Sequence, residues 1–209
     1  RDHGGRAGWF GCSHCSCWAG RSMTFRPAPF DVVAASQRVW SERWDPSATS
    51  GNAVFTAIVR SQQMLMHQVA EVMRSHELTF PRYEVLTWLA AEPGSSLTLG
   101  WISEVLRIPA ATVTNLVDRL VADGLVVRVP HPLDARTTLA EITDQGRDLA
   151  ERTTADLNDS VYRTLALDED ERAQLLRLLE SLRANGGEFD VERSAERIAR
   201  LDANVGTTS

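Results

Sequence analysis

The side chains best suited to chemistry cluster between residues 107 and 136, and the chemistry they suit is reading the edge of a nucleic acid. Residues 110–123 repeat apolar side chains at helical spacing, with Val113, Leu116, Val117, Leu120 and Val121 on one face. The opposite face carries Ala111, Asn115, Asp118, Arg119 and Ala122, with Thr112 and Thr114 on its flanks. An Asn amide pairs bidentately with adenine, and Ala or Thr methyls touch the thymine methyl. Small residues at 110–112 let the start of such a helix come close to base edges. Arg119 suits either a phosphate or an internal carboxylate. Asp118 is repelled by phosphate, so its partner is expected to be an Arg of the protein itself.

Other chemistries find no comparable constellation. The five His fall at 3, 14, 67, 76 and 131, without metal-ligand spacing in the body of the chain. There is no Gly-rich phosphate loop, no nucleophile elbow and no paired-acid site, so no catalytic residue, metal site or cofactor is expected. All three Cys lie in the first 22 residues, a stretch without Leu, Ile or Val. Cys12, His14, Cys15 and Cys17 could converge on a metal, but they lack paired C-x₂-C spacing. The preferred reading of residues 1–22 is a poorly ordered leader, non-native or upstream of a start at Met23. No apolar run approaches the 18–20 residues of a bilayer span, which excludes a transmembrane helix and points to a cytoplasmic protein.

The elements that position the reading face follow from periodicity and punctuation. Phe30–Trp44 reads as an amphipathic helix closed by Asp45-Pro46, and 45–52 as a polar turn. Ala53–His76 is a long helix, and Pro81 opens another that ends at Pro93-Gly94. Thr98 caps a short helix to Leu106; Pro109 starts the next, stopped by Gly124. Two strands, Leu125–Val129 and Thr137–Ile142, flank a turn at 131–136. Thr143 caps a helix to about Leu165, and Asp168 with Glu171 forms a capping box for one ending at Asn185-Gly186-Gly187. A polar tail follows, with a short frayed helix at 191–201. Helix, short helix, tight turn, helix and hairpin in that order make a winged helix-turn-helix, so the fold class is mainly α with a small β-hairpin wing, joined to a helical dimerisation region.

Charge constrains this reading. The chain has 22 basic residues, all Arg, against 28 acids, a net charge of −6. Without the leader, which holds three Arg and one Asp, the body stands at −8. Residues 97–147 are not basic overall, so Arg107, Arg128, Arg136 and His131 must form a local patch, making few phosphate contacts.

The stretch Leu97–Arg147 resembles the MarR family (multiple antibiotic resistance regulators). The matching blocks are Ile102-Ser103-Glu104-Val105-Leu106, Thr112-Val113-Thr114-Asn115-Leu116-Val117-Asp118-Arg119-Leu120, Asp123-Gly124-Leu125-Val126, Asp134-Ala135-Arg136 and Ile142-Thr143-Asp144-Gln145-Gly146. With flanking helices the resemblance covers about residues 54–184. It implies that Asp134 holds the guanidinium of Arg136 toward a minor groove, whose negative potential suits a planar cation. The family often has Ser or Thr where the recognition helix begins; this chain has Pro109-Ala110-Ala111. The DNA-contacting set expected is therefore Arg107, Ala111, Thr112, Thr114, Asn115, Arg119, Arg128, His131, Asp134 and Arg136.

The resemblance also implies a homodimer on a pseudo-palindromic operator of double-stranded DNA. Residues 54–73 and 157–182 carry more apolar surface than a small winged domain can cover, mainly at Leu165, Leu167, Leu175, Leu176, Leu178, Leu179 and Leu182. The organisation expected is a leader (1–22), an additional helix and turn (23–52), a dimerisation region (53–80 and 143–185), a DNA-binding domain (81–142) and a polar tail (186–209). Many members of the family release DNA when a small aromatic acid or phenol binds. Trp40, Trp44, Arg60, Met64, His67, Tyr83 and Trp88, with Trp101, are the residues that would line such a site, Arg60 or His67 meeting an anionic group. The function expected is a repressor relieved by such a ligand. The alternatives are a ligand-independent winged-helix regulator and a protein-interaction module.

Overall fold

A computed structural model describes residues 28–92 and 94–205, with backbone alone at 135, 136, 197 and 200–205. The expectations for residues 1–22 and for Pro93 lie outside the described residues. The chain divides into two compact units between Met64 and Leu65.

In the first unit, α1 (Val32–Ser41) begins at Asp31, whose carboxylate accepts from the Val33 and Ala34 N–H groups. Helix α2 (Pro46–Ser75) starts seven residues before the sequence places it. The stretch read as a polar turn is its first two turns. Asp45 accepts from the Ser47 and Ala48 N–H groups at 2.9 and 3.1 Å, and Pro46 occupies a first-turn position where its missing N–H costs nothing. The Ser36 hydroxyl donates to Asn52 Oδ1 at 2.9 Å, joining the two helices.

The second unit opens with the end of α2 and continues through α3 (Phe80–Ala91), β1 (Ser96–Thr98), α4 (Leu99–Leu106), α5 (Ala110–Ala122), β2 (Val126–His131), β3 (Asp134–Ile142), α6 (Asp144–Leu157), α7 (Glu169–Asn185) and α8 (Val191–Val205). Its core joins Val69, Val72 and Met73 to Val85, Leu86 and Leu89 of α3, Ile102 of α4, Val113, Val117 and Leu120 of α5, Val126 and Ile142 of the sheet, and Leu157.

Several elements differ from the sequence reading. Strand β1 is unforeseen: three residues are too few for periodicity to register, and only Leu97 of them is buried. It completes an antiparallel sheet of order β1-β3-β2. The wing strands reach farther than foreseen, to a His131–Asp134 pair, with a register shift after Pro130. A proline fits there because β2 is an edge strand and Pro cannot donate to the ladder. Helix α6 ends at Leu157 and passes into a π-helical turn, Asn158–Tyr162, closed by the Arg163 N–H to the Asn158 carbonyl. Helix α8 runs past the expected end of the tail helix.

Two glycines set the root of the wing. Gly124 (φ +72°) takes the left-handed conformation that turns α5 into β2. Gly146, in the first turn of α6, lies so close to β2 that a Cβ there would overlap the Leu125 carbonyl and stand 2.9 Å from Ile142 Cγ1. Thr143 ties the two together: its hydroxyl donates to the Gly124 carbonyl at 2.9 Å and accepts from the Gly146 N–H at 3.1 Å.

Candidate nucleic-acid interface

The tight turn between α4 and α5 rests on Ser103. Its carbonyl accepts from the Arg107 and Ile108 N–H groups, and its hydroxyl donates to the Ile108 carbonyl at 2.7 Å. The turn puts Arg107 in the left-handed conformation (φ 55°, ψ 38°) with its side chain in solvent. A residue with a Cβ carries a cost there that Gly or Asn largely avoids. Ser103, unremarked as a functional residue in the sequence, could have been recognised as a hydroxyl one helical turn before the break.

Helix α5 is anchored by one face only. Val113, Val117 and Leu120 are fully buried, while Ala111, Thr112, Thr114, Asn115, Asp118, Arg119 and Ala122 are exposed. The start of α5 has no side-chain cap, as Pro109-Ala110-Ala111 foretells, so backbone N–H groups there remain available to an acceptor. The Thr114 hydroxyl donates back to the Ala110 carbonyl at 3.0 Å, so its proton is engaged and its oxygen keeps acceptor capacity. At the far end, Arg82 of α3 pairs with Asp123 and donates to the Glu77 carbonyl, tying α5 to α3. Its distance in sequence from Asp123 hides that role. Arg147 does similar work beneath β1, donating to the Ala90 carbonyl at 3.1 Å and the Ser95 hydroxyl at 2.5 Å.

The cations divide into two kinds. Arg128 of β2 donates to Asp118 at 2.7 Å, the partnership anticipated for Asp118, so part of its charge is already neutralised. Arg107 and Arg119 have no ion pair among the described residues. At the wing tip, the Leu133 N–H donates to His131 Nδ1 at 3.2 Å, which fixes that nitrogen as the acceptor and leaves Nε2–H as a donor. Asp134 accepts from the Thr137 hydroxyl at 2.8 Å. Arg136 is placed by its backbone in β3.

The residues expected to line a ligand site fall in both units. In the first, Trp40 and Trp44 meet at 6.0 Å between ring centroids, and Arg60 and Met64 are exposed on α2. In the second, Tyr83 and Trp88 line one open groove of about 790 Å³ between α3 and the α6–π-helical segment. Trp101 meets Trp88 edge-on at 5.4 Å, while His67 is half-buried on α2 and outside the groove lining. Burial raises the Glu84 carboxyl above its ordinary pKa. Burial first, then the neighbouring Tyr83 and Glu84, raises the Tyr162 phenol. Among the described residues no group of three or more His, Cys, Asp or Glu could hold a metal, and no helix is long and apolar enough to cross a membrane.

This geometry is matched in known proteins. A model of the MarR family matches residues 76–137. The HTH-type transcriptional regulator TtmR of Methylorubrum extorquens is 32% identical over 154 residues, which span 73% of this chain and 77% of TtmR. Sco5413, a MarR family transcriptional regulator from Streptomyces coelicolor, is 39% identical, covering 68% of this chain and 98% of its own, with a TM-score of 0.61. BpsR of Bordetella bronchiseptica, solved to explain regulation of its DNA binding by 6-hydroxynicotinic acid, is 25% identical, covering 62% and 91%, with a TM-score of 0.56. A helix-turn-helix locked at Ser103, a wing rooted at Gly124 and Gly146, and likeness along two thirds of its length together establish that the chain belongs to the MarR family of winged helix-turn-helix transcriptional regulators.

Proposed function

We propose that the protein is a cytoplasmic, non-enzymatic repressor that binds a pseudo-palindromic operator as a homodimer and is released from it by a small aromatic ligand. The observation that carries the DNA reading is α5: Val113, Val117 and Leu120 of its apolar face are fully buried, and its outward face offers Ala111, Thr112, Thr114 and Asn115 to a major groove. Arg107 and Arg119 meet phosphates, Arg128 and His131 assist at the wing, and Asp134 orients Arg136 toward the minor groove.

Dimerisation is supported by α7, a helix of 17 residues with none buried. Leu175, Leu176, Leu178 and Leu182 are exposed on it, as are Val54, Phe55 and Ile58 on α2. Such surface is costly in water, and a second copy covers it while supplying the two-fold symmetry of a palindrome with half-sites about 34–36 Å apart. Ligand control is supported by the likeness to BpsR and by the aromatic residues Tyr83 and Trp88 of the groove.

Footprinting on the DNA upstream of the protein's own gene tests the proposal. The expected result is a protected imperfect palindrome, with Asn115→Ala and Arg136→Ala each weakening binding by about 1–3 kcal/mol per contact. Unchanged affinity in both variants overturns the DNA reading. Sedimentation tests the dimer, which a single 23.1 kDa species at micromolar concentration would exclude.

A further inference from the structure

The α3–α6 groove has an unexpected charge. Phe80, Tyr83, Trp88 and Tyr162 give it aromatic walls. The only ionisable side chains in its lining apart from the tyrosines are Glu84 and Glu151, with no Arg or His among the described residues. Glu84 is half-buried, and its carboxylate has no ion pair and no hydrogen bond among the described residues. The π-helical turn contributes to this arrangement. Its wider spacing keeps Tyr162 on the groove face with Ala150, Thr154 and Asn158, four residues apart in succession, a run that a plain α-helix rotates steadily away.

A half-buried carboxylate in a groove lined by four aromatic side chains repels an anionic aromatic acid. It complements a cation, which gains from the carboxylate and from the ring quadrupoles together. We infer that this groove binds a small aromatic amine, its ring among Tyr83, Trp88 and Tyr162 and its ammonium at Glu84. The inference rests on the proposed ligand control and gives the ligand a charge opposite to that of the aromatic acids foreseen from the family resemblance.

The test is calorimetric titration of the full chain with tyramine and with 3-(4-hydroxyphenyl)propionate, which share a phenol ring and differ in the sign of the terminal charge. Operator affinity is measured in parallel. Tyramine is expected to bind at least about tenfold more tightly than the carboxylate, and Glu84→Gln to remove that preference. Ala155→Trp, at an exposed position of the lining, fills the groove without touching the core and is expected to abolish binding. The inference is overturned if the carboxylate binds as well as the amine, if the preference survives Glu84→Gln, if Ala155→Trp still binds, or if millimolar tyramine gives no heat. Glu84-dependent tyramine binding that leaves operator affinity unchanged upholds the groove assignment and overturns ligand control instead.

Discussion

Arg107 is the sharpest point at which fold and function can be separated. It occupies a left-handed position (φ 55°) in the turn before the recognition helix, where a side chain costs about 1 kcal/mol or more. Replacing it with Gly removes that cost but adds about 0.5–1 kcal/mol of unfolded-state entropy, so stability should stay level or rise by up to about 1 kcal/mol. Replacing it with Ala keeps the strained conformation and should leave stability near that of the original. If the guanidinium neutralises one phosphate per half-site, a dimer loses two contacts in either variant. At about 0.9 per phosphate, the slope of log K against log salt should become shallower by about 1.8. With the two lines meeting near 1 M salt, that is a loss of about 60-fold at 0.1 M, shrinking to about 5-fold at 0.4 M. Fluorescence anisotropy on operator DNA across this salt range measures the slope, and urea unfolding measures stability. Variants that bind with the original slope, whatever their stability, refute the assignment of Arg107 to a phosphate.

The remaining predictions concern the wing root, the paired cation and the groove. Gly146→Ala forces a methyl into the Leu125 carbonyl, backbone against backbone, and should destabilise the protein by about 3 kcal/mol in chemical denaturation. Asp118→Asn releases Arg128 and removes a charge that phosphate repels, so non-specific DNA binding should tighten several-fold with a steeper salt dependence. Because burial raises the Glu84 pKa, the folded chain holds that proton more tightly than the unfolded one. The burial cost is therefore present at neutral pH and fades as pH falls through the raised pKa. Glu84→Gln should be the more stable protein at neutral pH, and its advantage should vanish on acidification; urea midpoints measured along that range check the sign.

The reading helix was legible because burial imposes a period. Val113, Val117 and Leu120 recur at helical spacing, and the exposed face follows by subtraction. Caps were legible for a similar reason: Thr98, Thr143 and the Asp168–Glu171 box are short-range pairings of side chain and backbone. The polar run after Asp45 misled, since Ser, Thr, Gly and Asn in an exposed first turn resemble a loop while Asp45 and Pro46 are starting a helix. Strand β1 exists only through its pairing with Glu141, Ala140 and Leu139, a partnership that three residues do not announce. The charge of the groove was hidden for the same reason. Tyr83 and Trp88 could be named from their type, but their neighbours Glu84 and Tyr162 come together only through the packing of α3 on α6 and the π-helical turn.

The contact between Gly146 and Leu125 leaves no slack at the junction of helix and wing. Backbone lies directly on backbone there, and Thr143 clasps both sides with one hydroxyl. The side chain that shares the joint with this backbone is Ile142, whose β-branching leaves it little rotamer freedom to absorb a displacement. A shift of α6 along its axis therefore presses directly on Leu125 and, through Thr143, on Gly124 at the base of β2, as in a gear with little backlash. Since α6 also forms one wall of the groove, the same rigid part touches both the place where a ligand would sit and the hinge from which the wing projects.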